Sequence, residues 1–476
     1  MKKGQCLRLA LLASLLLFAL AIPFANAMNV NEGGGAFKYQ ATPIAVDFDT
    51  YTGSGFLYNT VAELRAAYDL NSLYAAGYDG KGQTVVIIDA FGSPTIYDDL
   101  LSFITWQNVH YGPNLPWTTM ADVQKHLRIY YPQGKPVFNA SDADQLGWSI
   151  EVTLDVDMVH AIAPRADIAL VIAPNDNFGP LNSAVKYAVT HHLGCAISQS
   201  WGAPEYELTG PSGRAVVKQA HTIYMLAEQA HITVFASAGD WGAANLGSYN
   251  NPLFPASDPY VTAVGGTNLF MNCPSGYSEG TGNWTNRTSP GLTYNYEIAG
   301  NDYEGMLADG YPAPEDIVTT GGAMSSLFAL PSWQRGITLT DTSGKTFRPT
   351  GRCTSDVSFD SGVYGGIGAV PWSAASPGSP TYYIVGGTSA GSPFWAALTA
   401  IACQYTRHNL GYINPTLYAN KAKLYTAGAF HDITIGDNTY PYDNTLLGYK
   451  ATLGWDAPTG IGSPDATILV PKMKGW

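Results

Sequence analysis

Short apolar, β-branched runs alternate along much of the chain with longer stretches that place apolar residues at helical spacing. Residues 84–89, 168–172, 195–202, 232–240 and 260–266 read as buried strands. Residues 60–68, 147–164, 181–193 and 216–230 read as helices. This alternation predicts an α/β fold, a parallel sheet flanked by helices, with functional groups at the carboxyl ends of the strands. A last unit, an apolar run at 382–385 followed by a helix from Phe394 with Pro393 at its start, places Ser389 on a Gly-lined turn entering a helix. Residues 272–320 break the pattern and read as an insertion or a set of surface loops. One large domain over 60–476 is expected, preceded by a short lead-in at 28–59.

The first 27 residues predict a secretory signal. Lys2, Lys3 and Arg8 precede an apolar run at 9–22, and Ala25-Asn26-Ala27 forms a small-x-small cleavage site. The run is short for a membrane span, so a secreted, soluble protein without stable membrane association is expected. The 476-residue chain carries a formal charge of −13 with only 13% charged residues. An acidic, sparsely charged surface argues against nucleic-acid partners. Of the cysteines outside the signal, Cys195 and Cys403 fall in apolar elements and read as buried thiols. Cys273 and Cys353 fall in loops and are candidates for a disulfide.

Ser389 suits a nucleophile, since a helix N-terminus stabilises nearby negative charge and glycines admit substrate backbone. A helix-capping serine would have the same pattern. None of the nine histidines stands in a loop-then-helix setting that would aim it at Ser389, and His160 reads as a core histidine. A carboxylate is the other available base. Glu151 and Asp155 are four residues apart, hence stacked on one helix face. In water such a face is merely acidic; partly buried, the pair shares a proton. Asp240 closes the strand at 232–240. When protonated it donates to a developing oxyanion, although a turn-forming aspartate has the same pattern. A carboxylate base and a neutral aspartic acid are both usable in acid, where imidazole is already protonated.

Three segments in this order resemble the sedolisin family of serine-carboxyl peptidases, which share the subtilisin-like fold. They are Glu151-x-x-x-Asp155 with Val159-His160-Ala161-Ile162-Ala163-Pro164, then Ser237-Ala238-Gly239-Asp240, and Gly386-Gly387-Thr388-Ser389-Ala390-Gly391-Ser392-Pro393. Further likeness lies in Ser198-Gln199-Ser200-Trp201-Gly202, Val261-Thr262-Ala263-Val264-Gly265-Gly266-Thr267, Leu330-Pro331-Ser332-Trp333-Gln334 and Asp356-Val357-Ser358. The resemblance implies Ser389 as nucleophile, Glu151 as base, Asp155 as its partner and Asp240 as the oxyanion residue. It implies peptide or protein substrates and acid activity, with an endopeptidase expected and a tripeptidyl-peptidase as the alternative. It also implies one structural calcium ion held by the side chains of Asp432 and Asp456 and the carbonyls of Ile433, Thr452 and Gly454.

The chain departs from the family at Thr452, where glycine is usual, and at Ser355, where proline is usual. Members of the family generally carry a large N-terminal pro-domain, and here only the short lead-in at 28–59 is expected in its place along the chain. A monomer is expected. Two other readings stand beside this one: a neutral subtilisin-type protease using the strand-end Asp89, and an inactive secreted scaffold.

Overall fold

The computed structural model describes residues 44–47, 58–245, 247, 249–272, 293–303, 318–440 and 448–476. The expected signal, most of the lead-in, Cys273 and part of the 272–320 interval lie outside these residues.

The central sheet is built from β1 (Thr84–Ala90), β2 (Leu127–Tyr130), β3 (Asp167–Ala173), β4 (Ala196–Gln199), β5 (Thr233–Ser237), β6 (Thr262–Asn272) and β7 (Thr293–Ala299), with β8 (Val357–Asp360) paired to β6. Its order is β7-β6-β5-β4-β1-β3-β2. All neighbours are parallel except the antiparallel pair of β6 and β7. Five helices matter for the site: α1 (Ile96–Tyr111), α2 (Ala143–Ile162), α3 (Phe178–Thr190), α4 (Pro211–Gln229) and α5 (Gly391–Thr406).

The strands divide their side chains between two cores. Val85 and Ile87 of β1 join the core that contains α1, α2 and α5, whereas Val86, Ile88 and Ala90 join the core that contains α3 and α4. Asp89 shares the parity of Val85 and Ile87, so its carboxyl is directed toward α2 and α5.

Residues 293–303 correct the reading of 272–320 as insertion or surface loops. β7 pairs with β6 from Thr267↔Ala299 to Asn272↔Thr293, and Asp302, Thr319 and Thr320 are buried. Polar, aromatic sequence at a sheet edge does not carry the apolar run by which buried strands are recognised.

A smaller sheet leads to Ser389. β9 (Gly366–Trp372) and β10 (Thr381–Gly386) are antiparallel, and residues 44–47 pair along the other side of β10, with Ile44 opposite Gly386. β10 ends three residues before Ser389. Gly387 follows with φ +121°, a conformation that L side chains rarely adopt. A 3-10 turn, Thr388–Ala390, then opens into α5, whose first turn accommodates Pro393.

Candidate active site

Helix α2 carries the two predicted carboxylates. It begins at Asp142, whose Oδ1 accepts from the Asp144 and Gln145 amides at 3.0 and 3.4 Å. It ends just before Ala163-Pro164. Every residue from Trp148 to Ile162 is buried. Glu151 and Asp155 are therefore not a solvated acidic face, since this part of the helix has no face in water.

Ser389 Oγ donates to Glu151 Oε2 at 3.2 Å. Asp155 Oδ1 accepts from Ser200 Oγ at 2.7 Å, and the same hydroxyl lies 3.1 Å from the carbonyl oxygen of Ser389. The loop after β4 thus ties the second carboxyl to the backbone of Ser389. Burial, then the Asp155 and Asp89 carboxyls, push Glu151 well above the usual carboxylate range; the Ser389 hydrogen bond opposes this. Burial, then Asp89, does the same for Asp155.

Asp89 is fully buried and pushed up to about 8 by its burial. Both its oxygens, Glu151 Oε1 and Asp155 Oδ2 are buried acceptors without a hydrogen-bond donor. The three carboxyls act on one another electrostatically, so their titrations are linked. From the sequence, Asp89 reads as the acid of the neutral alternative, or as a residue behind the catalytic groups or a structural acid. Its strand-end position was a usable signal, but its face follows from sheet register.

No histidine contacts Ser389 or Asp89. His160, on the same helix, stacks on Trp117 with ring centroids 4.2 Å apart, and its Nε2 lies 3.2 Å from the Pro116 carbonyl. Burial lowers it to about 3. His126 and His221 are paired with Asp167 and Asp258 at 2.7 and 2.8 Å.

Asp240 follows β5 and reaches the turn that carries Ser389. Its Oδ1 accepts from the Thr388 amide at 2.6 Å and from Thr388 Oγ1 at 2.9 Å. Burial lifts it to about 6, against those hydrogen bonds and with a further push from Asp302. Its backbone is fixed by the Thr319 amide, which donates to the Asp240 carbonyl at 3.0 Å. A Cβ added at Gly387 would lie 3.2 Å from Asp240 Oδ2 and 3.7 Å from Ser389 Cβ. The glycine therefore keeps open the space between Asp240 and Ser389.

The residues matched to a calcium site lie apart from this cluster, on two loops. Asp432 accepts from the Gly454 amide at 3.1 and 3.0 Å through its two oxygens, and Asp456 Oδ2 accepts from the Thr452 amide at 2.9 Å. Burial raises both carboxyls, Asp456 to about 8, with the Asp432 charge adding to the latter. Two oxygen donors that repel one another fit a hard cation. Among the described residues no group of three or more His, Cys, Asp or Glu side chains is arranged to hold a metal, so the fit depends on carbonyls. No helix among them is long and apolar enough to cross a membrane.

No family model matches the chain. Curated relatives do. Kumamolisin of Bacillus sp. (strain MN-32) is 32% identical over 410 residues, 84% of this chain and 61% of that protein. Sedolisin of Pseudomonas sp. (strain 101) is 29% identical over 301 residues, 62% of this chain and 43% of that one. The match thus spans less than two thirds of either relative's length. Among solved structures, Pseudomonas sedolisin, a serine-carboxyl proteinase complexed with two molecules of pseudo-iodotyrostatin, superposes with a TM-score of 0.65 at 23% identity. The match covers 88% of this chain and 99% of that one. That likeness shows the subtilisin-like fold, and the homologues beside it support the sedolisin family as the chain's own.

Proposed function

We propose that the protein is a secreted serine-carboxyl peptidase that hydrolyses peptide bonds in acid through an acyl-enzyme. The observation that carries this reading is the Ser389 hydroxyl on a buried carboxyl, Glu151 Oε2 at 3.2 Å, in place of an imidazole. Ser389 Oγ attacks the substrate carbonyl while its proton passes to the Glu151 carboxylate, and the carbonyl π electrons move onto oxygen. Asp240, protonated, donates to that oxyanion. Collapse of the tetrahedral species expels the amine, which takes the proton from Glu151. Water repeats the sequence on the ester, with Glu151 again taking and returning the proton.

The pH dependence follows from the same groups. The first proton must leave the Glu151–Asp155–Asp89 cluster before a base exists, which sets an acid limb. A raised Glu151 is the stronger base once ionised. Asp240 is raised to about 6, so it is neutral below that pH and becomes an anion above it. An anion there opposes the oxyanion, so activity falls as pH rises through about 6. A histidine base gives an acid limb of the same sign but no basic limb of this kind, because its usable neutral form persists as pH rises.

Internal cleavage of polypeptides by a monomer is the expected mode, and release of N-terminal tripeptides is the alternative. Similarity to the tripeptidyl-peptidase 1 of Macaca fascicularis, 28% identical over 294 residues, supports the alternative. One structural calcium ion would be held by Asp432, Asp456 and the carbonyls of Ile433, Thr452 and Gly454, joining the two loops; a bound divalent cation supplies charge neutralisation there.

Rates on quenched fluorescent peptides from pH 2 to 8, for wild type, Ser389→Ala, Glu151→Gln and Asp240→Asn, test the mechanism. N-terminally blocked and free peptides, with products sized by mass spectrometry, separate internal from tripeptidyl cleavage. Full activity centred near neutral pH that persists in Glu151→Gln would favour the subtilisin-type alternative. No turnover by folded, calcium-loaded protein would favour a scaffold.

A further inference from the structure

The Asp240 carboxyl is set so that its two oxygens differ. Oδ1 accepts two hydrogen bonds, from the Thr388 amide at 2.6 Å and from the Thr388 hydroxyl at 2.9 Å. Thr388 Oγ1 in turn accepts from the Gly239 amide at 3.0 Å. A hydroxyl has a single proton. With Gly239 pointing its N–H at Oγ1, the Thr388 proton is directed to Oδ1. Both acceptor directions of Oδ1 are then filled, so the acid's own proton has its place on Oδ2. That oxygen lies 3.2 Å from where a Gly387 Cβ would stand, on the path to Ser389.

We infer that Thr388 is a positioning residue, which fixes the Asp240 proton on the oxygen that faces the nucleophile and the developing oxyanion. The inference rests on the proposed peptidase mechanism and deepens it. Hydrogen bonds to Oδ1 from a fully buried threonine orient the donor before substrate arrives, the condition under which an oxyanion contact accelerates the chemical step rather than binding. A valine at 388 keeps the shape and the amide bond but releases Oδ1 from one donor and leaves the Gly239 amide without its acceptor. The proton then distributes over both oxygens.

The same change has a second signature. The Thr388 hydrogen bonds favour the ionised form of Asp240 and act against its burial. Losing the hydroxyl therefore raises Asp240 further and moves the basic limb of the rate profile to higher pH. The other charged groups acting on this region are Asp302, which raises Asp240, and Glu151, which feels Asp240. Neither is altered by the substitution.

The test is kcat and KM against pH for wild type, Thr388→Val and Thr388→Ser, measured on the full chain with calcium and with folding checked by circular dichroism. The expected result is a kcat lowered about 10- to 100-fold in Thr388→Val, short of the ~10²–10³-fold cost of deleting an oxyanion donor. KM should change less than about threefold, the basic limb should move upward, and Thr388→Ser should recover most of the loss. On an Asp240→Ala background Thr388→Val should add little. If Thr388→Val does not fold, Thr388→Ala is read in the same way. An active wild type whose hydroxyl-less variant keeps its kcat and basic limb overturns the inference and leaves the mechanism standing. So does a Thr388→Ser as impaired as Thr388→Val. Failure of the mechanism itself has a different mark: Glu151→Gln as active as wild type.

Discussion

At the scale of single residues, the account depends on three carboxyls in place of one imidazole. Two were legible in the sequence because an i, i+4 pair on a helix faces one way whatever the tertiary structure. Asp89 was not assigned to them, because only the register of β1 in the sheet turns it toward α2 rather than α3 and α4. Its role is expected in the pH profile rather than in a simple loss of rate. Asp89→Asn removes a charge that raises both Glu151 and Asp155, so Glu151 surrenders its proton more readily. The acid limb of kcat/KM should move down by about half a pH unit or more while the basic limb, set by Asp240, stays in place. An unchanged acid limb would mean that Asp89 is electrostatically silent. The positions of Thr388 and Ser200 beside the catalytic groups were equally hidden. Both stand in segments that the family likeness covers, but spacing assigns no partner to a hydroxyl.

At the scale of elements, helix α2 illustrates what periodicity conveys and what it omits. Ile150, Leu154, Met158 and Ile162 recur every four residues and mark one apolar side of this helix. The structure buries the remaining sides as well, under the sheet, α5, α1 and β9. Asp157 is therefore also enclosed, with neither carboxyl oxygen given a donor. Burial, then the Asp99 charge, raises it well above the usual range. Asp99 is itself lifted to about 6 by burial, although the Ser373 and Thr95 hydroxyls hydrogen-bond to it. A carboxyl raised on folding holds its proton in the native state after the unfolded chain has lost it. Its contribution to stability is thus complete below the unfolded value near 4 and is lost as pH rises through the folded value. Asp157→Asn removes that dependence. The fall of Tm with increasing pH above about 4 should be shallower in the variant than in wild type by calorimetry. Parallel curves would show that Asp157 does not titrate between the two states.

At the scale of the whole molecule, the parallel α/β sheet was predictable from the alternation of runs, and most strand and helix positions followed. The edge strand β7 escaped because polar edge sequence resembles a loop. The calcium expectation came from family likeness alone: Asp432 and Asp456 lie in loops that spacing treats as ordinary. Their mutual repulsion makes a concrete prediction. Chelation at pH 6 should lower Tm by several degrees, since a ligand bound only to the native state stabilises it in proportion to its saturation. Asp456→Asn should lower the Tm of the calcium-loaded protein and reduce the response to chelator. A wild-type Tm indifferent to calcium would remove the ion from the account. Cys353 is buried, while its suggested partner Cys273 lies outside the described residues.

The central claim, that a carboxylate serves Ser389 as its base, is tested most directly by kcat/KM at pH 4 for Glu151→Gln against wild type on one quenched peptide. Glutamine keeps the size and a hydrogen-bonding group yet cannot take the proton. The account predicts a loss of about 10²- to 10⁴-fold, the usual range for a general base. Activity within a few-fold of wild type would contradict it.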